Sequence, residues 1–499
     1  MARRRRALEE RGALSGSLRV RPGRFRLWRG TSSLGGRLGP GRSVPLKVII
    51  VGAGEVGFHI AKKLSLENKD VVLVEKDEAR VRQVQELLDV QVLKGKGSSP
   101  SVLKEAGLGS AEILIAVTDS DETNIVACLI AQTISKNIIR VARLRDPEYR
   151  GETGLIDQSA LRVDLVISPE EEVAKTLCLL ADTPGTSDVL EFADGRVKLI
   201  GLKLEPGNPM VGKRLMDLRA ENAAERMLVA AIYRQESVIV PRGDTRLREH
   251  DTIFIVAHAG SVRQLLRRFG KASEPTERVL VVGGGRIGEC VARRLASKGI
   301  ATKIIVPERE RGEHLAQVLD RVVVLHGEGM NQRLLLEEGV RDVDMFIAAS
   351  DDDEDNVLTA LLAKRLGARR VVSLVDTTEY IPLASTIGVD VVLSPMLAAV
   401  SAILQFVRQG KILSVSTLRE ALVEAIEFIA METSEIVGKS LRDVSFPKGV
   451  LVGSIVRGSE VIIPTGDTKV EAGDRVILFA RPEAISRVEK ALMVQLEYF

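Results

Sequence analysis

Aromatic residues make up only 3% of this 499-residue chain, 11 Phe, 4 Tyr and 1 Trp. That scarcity argues against a stacking platform for single-stranded nucleic acid. Cysteine is equally sparse: Cys128, Cys178 and Cys290 stand far apart in no paired spacing. They read as small buried hydrophobes in a reducing compartment. The five histidines, His59, His250, His258, His314 and His326, fall in no catalytic or metal-ligand spacing. A Walker A lysine, a nucleophile elbow and an HExxH pair are also missing. No catalytic residue and no metal site is therefore expected. Apolar runs of the ~18–20 residues that span a bilayer are absent as well. The longest candidate, 383–407, is broken by Asp390 and Pro395 and reads as a strand, a break and a buried helix. The chain is not expected to cross a membrane by itself.

What is present is ordinary for a globular protein: 45% hydrophobic and 28% charged residues. The length predicts roughly three or four units of about 100–200 residues. The net charge of +3 is unevenly spread, with twelve Arg against Glu9 and Glu10 in residues 1–43, hence +10 there and −7 elsewhere. Three readings of that Gly-rich basic arm stand open: a solvated disordered tail, a tether to a membrane surface or nucleic acid, or a translation start placed upstream of the true one. The first is preferred.

Internal duplication sets the organisation. The stretch "VIIVGAGEVG" at 48–57 returns as "VLVVGGGRIG" at 279–288. Behind it, "ILIAVTDSDETNIVACLIA" answers to "MFIAASDDDEDNVLTALLA", and "VDLVISP" to "VDVVLSP". Apolar strands alternating with amphipathic helices predict an α/β protein with two Rossmann-type doubly wound parallel sheets. A smaller β-rich α+β lobe is also duplicated, "AIYRQESVIVPRGDTRLREHDTIFIVA" matching "SIVRGSEVIIPTGDTKVEAGDRVILFA". The expected boundaries are a basic arm at 1–45, a first Rossmann-type domain at 46–165, and a crossover helix with the first small lobe at 166–271. A second Rossmann-type domain at 276–392 and a second crossover helix with its lobe at 393–499 complete the chain.

Gly52, Gly54 and Gly57 form G-x-G-x-x-G between a strand and a helix, enclosing Ala53, Glu55 and Val56. The first glycine permits the turn, the second lets a pyrophosphate approach the backbone, and the third lets helix and strand pack. Phosphates would face the helix N-terminus. Glu75, at the end of "DVVLVE", is placed to accept the ribose hydroxyls of an adenosine and to repel a 2′-phosphate, which favours NAD(H) over NADP(H). Lys96, Thr118, Asp119 and Arg143 lie beyond other strand ends, where doubly wound sheets bind ligands. Lys96 and Arg143 either pair with a phosphate or are surface charges. The second copy keeps Gly283, Gly285 and Gly288, with Arg286 and Ile287 between, and carries Ser350 at the Thr118 position. Val306 replaces Glu75, Glu328 replaces Lys96 and Leu374 replaces Arg143, so this second site is expected to be degraded or to take another nucleotide. The acidic run 350–355 reads as a helix start rather than a cation site.

The motifs "VIIVGAGEVG", "VLVEKD", "ILIAVTDSDETNIVA" and "VARLRDPEY", with the "IIPTGDT…AGDRVILFA" ending, resemble the TrkA family of regulatory subunits of Trk-type potassium uptake, built of tandem RCK/KTN domains. The resemblance covers residues 46–496. It implies a homo-oligomeric ring beneath a membrane-embedded Trk-type potassium-translocating subunit, on the cytoplasmic face of the plasma membrane, modulated by NAD(H) or by ATP/ADP. Lys96 stands where the family usually has an acid. Binding without turnover is the reading preferred here, with no nucleic acid as partner. The alternative is an NAD-dependent oxidoreductase of a small metabolite.

Overall fold

The structure, a computed structural model, describes residues 46–481 with 484 and 488, apart from 68, 150–162, 222–226, 236, 272–274, 408–411 and 419–422. The basic arm and its three readings lie outside the described residues.

Four sheets follow one another along the chain. The strands β1 (Lys47–Val51), β2 (Asp70–Glu75), β3 (Gln91–Lys94), β4 (Ile113–Ala116), β5 (Ile139–Arg143) and β6 (Leu165–Ile167) form a sheet in the order 3-2-1-4-5-6, parallel throughout. Helices cover both faces of such a sheet, which is why β1 and β4 are continuous apolar runs rather than alternating ones. The strand order reverses between β1 and β4, and a crevice opens at their carboxyl ends. Next, β7 (Asp188–Phe192), β8 (Val197–Lys203), β9 (Met227–Arg234), β10 (Ser237–Ile239) and β11 (Thr252–His258) form an antiparallel sheet in the order 10-9-11-8-7.

The second half repeats both. Strands β12 (Arg278–Val282), β13 (Ala301–Val306), β14 (Val322–His326), β15 (Met345–Ala348), β16 (Val371–Leu374) and β17 (Val391–Leu393) form the second parallel sheet in the same order. Strands β18 (Ile412–Leu418), β19 (Val423–Ile429), β20 (Val450–Arg457), β21 (Glu460–Ile462) and β22 (Arg475–Ala480) form its antiparallel companion. One expectation is corrected. Residues 383–387 belong to the helix Tyr380–Ile387, not to a strand. Pro382 is tolerated in its first turn, and Gly388 ends it at φ +121°. Only Val391–Leu393 pairs as the strand before the helix Pro395–Val407.

The two halves interlock. The helix Pro169–Asp182 follows the first parallel sheet, yet Val173, Leu177 and Leu180 are buried in one cluster with Val281, Val291 and Leu295 of the second unit. Pro395–Val407 reciprocates: Ala399, Ile403 and Leu404 pack with Val48, Ile50, Ile60 and Leu64 of the first. The antiparallel sheets also share a core, in which Phe192 and Phe254 meet Ile477 and Phe479. Arg475 pairs with Asp194 at 2.6 Å across that seam. All three cysteines are free, and burial pushes the Cys128 thiol up to about 12.

Candidate functional site

At the carboxyl end of β1 the chain turns into the helix Glu55–Leu66. Gly52 takes φ +104°, the left-handed side that glycine enters without strain. A Cβ on Gly57 would stand 1.9 Å from the Gly52 carbonyl oxygen, so this position closes helix against turn only as glycine. Gly54 is the N-cap, and no side chain caps the helix. The first-turn N–H groups lack intrahelical partners, and with the helix dipole they make an anion seat. Val56 is buried under the turn, and Glu55 is the acid of the first turn.

Glu75 ends β2 beside this turn and is only 5% exposed. Its carboxylate accepts from Ala53 N at 2.6 Å, Lys76 N at 2.8 Å and Asp77 N at 2.9 Å. The same carboxylate thus fixes the glycine turn and stands at the strand end where a ribose edge would arrive. Asp77 caps the next helix, Glu78–Leu87, through Ala79 N and Arg80 N. Hydrogen bonding to those amides, with the nearby Arg80 and Lys76 charges, holds its carboxyl below the usual range. The Arg80 guanidinium lies over the turn, its Nη1 3.5 Å from where a Cβ on Gly54 would be. Sequence reading missed Arg80. The signal was available in the repeat, since Arg311 follows Gly283 at the same distance.

Across the strand-order reversal, Thr118 packs against Gly52. Its N–H and hydroxyl both donate to Asn124 Oδ1, at 2.9 and 2.7 Å, while Asn124 Nδ2 donates to Thr118 O and Arg143 O. Asn124 is fully buried and ties the β4 and β5 ends together; it too was missed, although Asn356 repeats it. Arg143 and Arg145 both approach Asp119 to 3.9 Å, and the Nε of each is buried without a hydrogen-bond acceptor among the described residues. Lys96 is exposed beyond β3. The structure therefore brings Gly52–Gly57, Glu75 and Thr118 together, sets Asp119 and Arg143 as a pair on the neighbouring strand ends, and leaves Lys96 at the outer edge.

The second turn has the same backbone and different chemistry. Gly283 takes φ +118°, and Gly285 caps the helix Arg286–Ser297 with no side-chain bond. A Cβ on Gly288 would stand 2.0 Å from the Gly283 oxygen. Ile287 is partly buried against the core, while Arg286 begins the helix. Val306 fills the Glu75 position, and its Cγ1 leaves no room for a Cβ on Gly284. Arg311 is consumed: it donates to Gly284 O at 2.7 Å and pairs with Glu289 at 2.6 Å. Burial pushes Glu289 up, but bonds from Arg293 and Arg311 outweigh it and hold it low. Over Gly285 stands Asp351, its Oδ1 3.4 Å from the Cβ position. Ser350 is tied to Asn356 as Thr118 is to Asn124. In the acidic run, Asp352 accepts Asp355 N, and Asp353 accepts Asp376 N and Thr377 N, so both serve as backbone ties.

A nucleotide fits the first turn on these observations. Gly54 offers an open cradle beneath a guanidinium, the helix start is uncapped, and a buried carboxylate adjoins both. The second turn offers a carboxylate where the first offers a cation.

The TrkA-N domain family matches residues 48–169 and again 279–395, and the TrkA-C domain family matches 199–270 and 425–493. A Trk system potassium uptake protein TrkA from Halomonas elongata is 39% identical over 458 residues, 91% of this chain and 100% of that relative. The chain belongs to the TrkA family. A TrkA homolog from Methanosarcina mazei is 37% identical over 452 residues, 89% of this chain and 99% of its own length. Among solved structures, the GsuK channel bound to NAD superposes with a TM-score of 0.58 at 19% identity, covering 91% of this chain and 80% of that one. The GsuK RCK domain gives 0.57 at 18% identity, covering 91% and 96%. These likenesses show a shared fold. Both TrkA-N matches of this TrkA-family chain begin on the strand that enters a glycine turn. Among the described residues no helix is long and apolar enough to cross a membrane.

Proposed function

We propose that this chain is a nucleotide-sensing regulatory subunit of potassium uptake that holds NAD(H) at its first glycine turn and is silent at its second. The observation that carries the reading is the contrast within one chain: Glu75 and Arg80 at the first turn, against Val306, a neutralised Arg311 and Asp351 at the second. The Gly52–Gly57 amides and Arg80 would take the phosphates, and Glu75 the adenosine ribose; Thr118 and Arg143 border the crevice. ATP or ADP presents the same adenosine and phosphates and is the competing ligand. These groups bind and orient, and the role proposed is binding without turnover.

The fold supplies a route outward. The nucleotide helix Glu55–Leu66 packs on Pro395–Val407 from the other half, and Lys63 near its end pairs with Glu424 of β19 at 2.8 Å. A ligand that prefers one arrangement of these elements by about 1–3 kcal/mol shifts their equilibrium 5–150-fold. Assembled as a homo-oligomeric ring on the cytoplasmic side of the membrane, the lobes would act on a membrane-embedded Trk-type potassium-translocating subunit.

Calorimetric titration of NADH into the purified full chain tests this reading. One NADH per chain is expected, with binding weakened about tenfold or more by Glu75→Ala, since a hydrogen bond to a charged group contributes about 1.5–3 kcal/mol. Two equivalent sites, no binding, or unchanged affinity in the variant would overturn it.

A further inference from the structure

At the end of the second parallel sheet opposite its glycine turn, a cleft of about 580 Å³ lies between the first small lobe and the amino-terminal edge of that sheet. That size suits a small-molecule ligand. Five cations line it: Lys203 at the end of β8, Lys271, Lys364, and Arg369 and Arg370 before β16. Three carboxylates oppose them, and two are already committed. Asp344 accepts Glu277 N and Arg278 N and pairs with Arg369 at 2.9 Å. Asp390 accepts Val371 N at 2.9 Å and pairs with Lys364. Glu205 is the third.

Arg370 carries the strongest argument. It is 8% exposed, and its guanidinium donates to the carbonyls of Leu180 and Thr186, which are neutral dipoles. Burial accordingly lowers it to about 10, against the opposing pull of Asp390 and Asp188. The side chains of Lys203 and Lys271 have no ion-pair or hydrogen-bond partner among the described residues. The first half of the chain shows that these charges are not demanded by the fold. Strand register places Ile139 and Ile138 where the second half has Arg370 and Arg369, and Gln132 where it has Lys364. The lining offers hydroxyls from Thr276 and Ser385 and no aromatic ring on which a base could stack.

We propose that this cleft is a second effector site, for a small polyanion without an aromatic base, of the sugar-phosphate or polycarboxylate type. Charge multiplicity and hydroxyl groups are the shared chemistry; the site sits where a ligand would join the first small lobe to the second parallel sheet.

The test titrates pyrophosphate, and separately citrate, into the full chain, into an Arg80→Ala variant and into a Lys203→Ala/Lys271→Ala double variant. Saturable binding of at least one probe is expected, unchanged within twofold in Arg80→Ala and weakened at least fivefold in the double variant. Preference for pyrophosphate marks a phosphoryl ligand and preference for citrate a polycarboxylate. Neither lysine side chain has a polar partner among the described residues, and Ala keeps the backbone bonds, so the double variant should keep the thermal unfolding midpoint of the parent chain. Absence of saturable binding by both probes would overturn the proposal. So would binding kept within twofold in the double variant; if it is also lost in Arg80→Ala, the probe is occupying the first glycine turn.

Discussion

Glu75 collects three backbone N–H donors, and an ionised carboxylate has about four lone-pair directions. It can hold the turn and still keep a lone pair for the ribose hydroxyl of the proposed nucleotide. Val306 can do neither: the turn at Gly284 is instead packed by its methyl groups and tied by Arg311. His59, one helical turn after Gly54, shows a different residue-scale effect. Its ring meets Phe58 edge-on with centroids 5.8 Å apart. Burial lowers its affinity for a proton, Lys62 lowers it further, and Glu379 from the other half opposes both. A base whose folded value lies below its ordinary 6.5 favours the fold above that pH. As pH falls below 6.5 the unfolded chain takes the proton first, and stability declines until the folded ring titrates too. Denaturant titrations across this window should show a decline in the parent chain and a smaller one in His59→Asn. Equal slopes would mean that His59 does not contribute.

The crossover helices are the elements that make two halves into one unit. Ile403 is fully buried between Pro395–Val407 and the first parallel sheet, and Leu177 is its equivalent in Pro169–Asp182 against the second. Truncating either to Ala should cost about 2–5 kcal/mol. Since each side chain touches the opposite half, both variants should lower one common unfolding transition; separate transitions for the halves would contradict the interlock. This exchange of helices was not legible in the sequence. An amphipathic pattern shows that 169–182 has an apolar face, but not which sheet covers it. The parallel sheets were legible, because glycine turns and apolar strands recur at matched spacing. The segment 383–387 was misread because a short apolar run such as "LASTI" suits a strand or a helix equally. Arg80 was missed for another reason: it reaches Gly54 from a separate helix, a contact that depends on how the helix Glu78–Leu87 lies against the turn.

At the scale of the whole molecule, Lys63 and Glu424 form a polar contact between the helix Glu55–Leu66 and the second small lobe. They stand 2.8 Å apart, with side chains 18% and 1% exposed. Removing one partner of such a pair strips a buried charge of part of its compensation, whereas removing both charges is often nearly neutral. Lys63→Ala should therefore destabilise the chain by about 1–3 kcal/mol, below the 3–5 of a fully buried pair because water reaches Lys63 and Glu424 keeps a further interaction. Adding Glu424→Gln should restore much of that loss, which is the signature of coupling in a double-mutant cycle. The double variant then separates sensing from transmission. Neither residue faces the glycine turn, so NADH affinity should stay within about twofold. If the pair carries the bound state to the lobe, NADH should slow amide exchange in β19 of the parent chain and leave it unchanged in the double variant. Equal protection of β19 in both would place the route elsewhere, through the apolar contact of Pro395–Val407 with the first sheet.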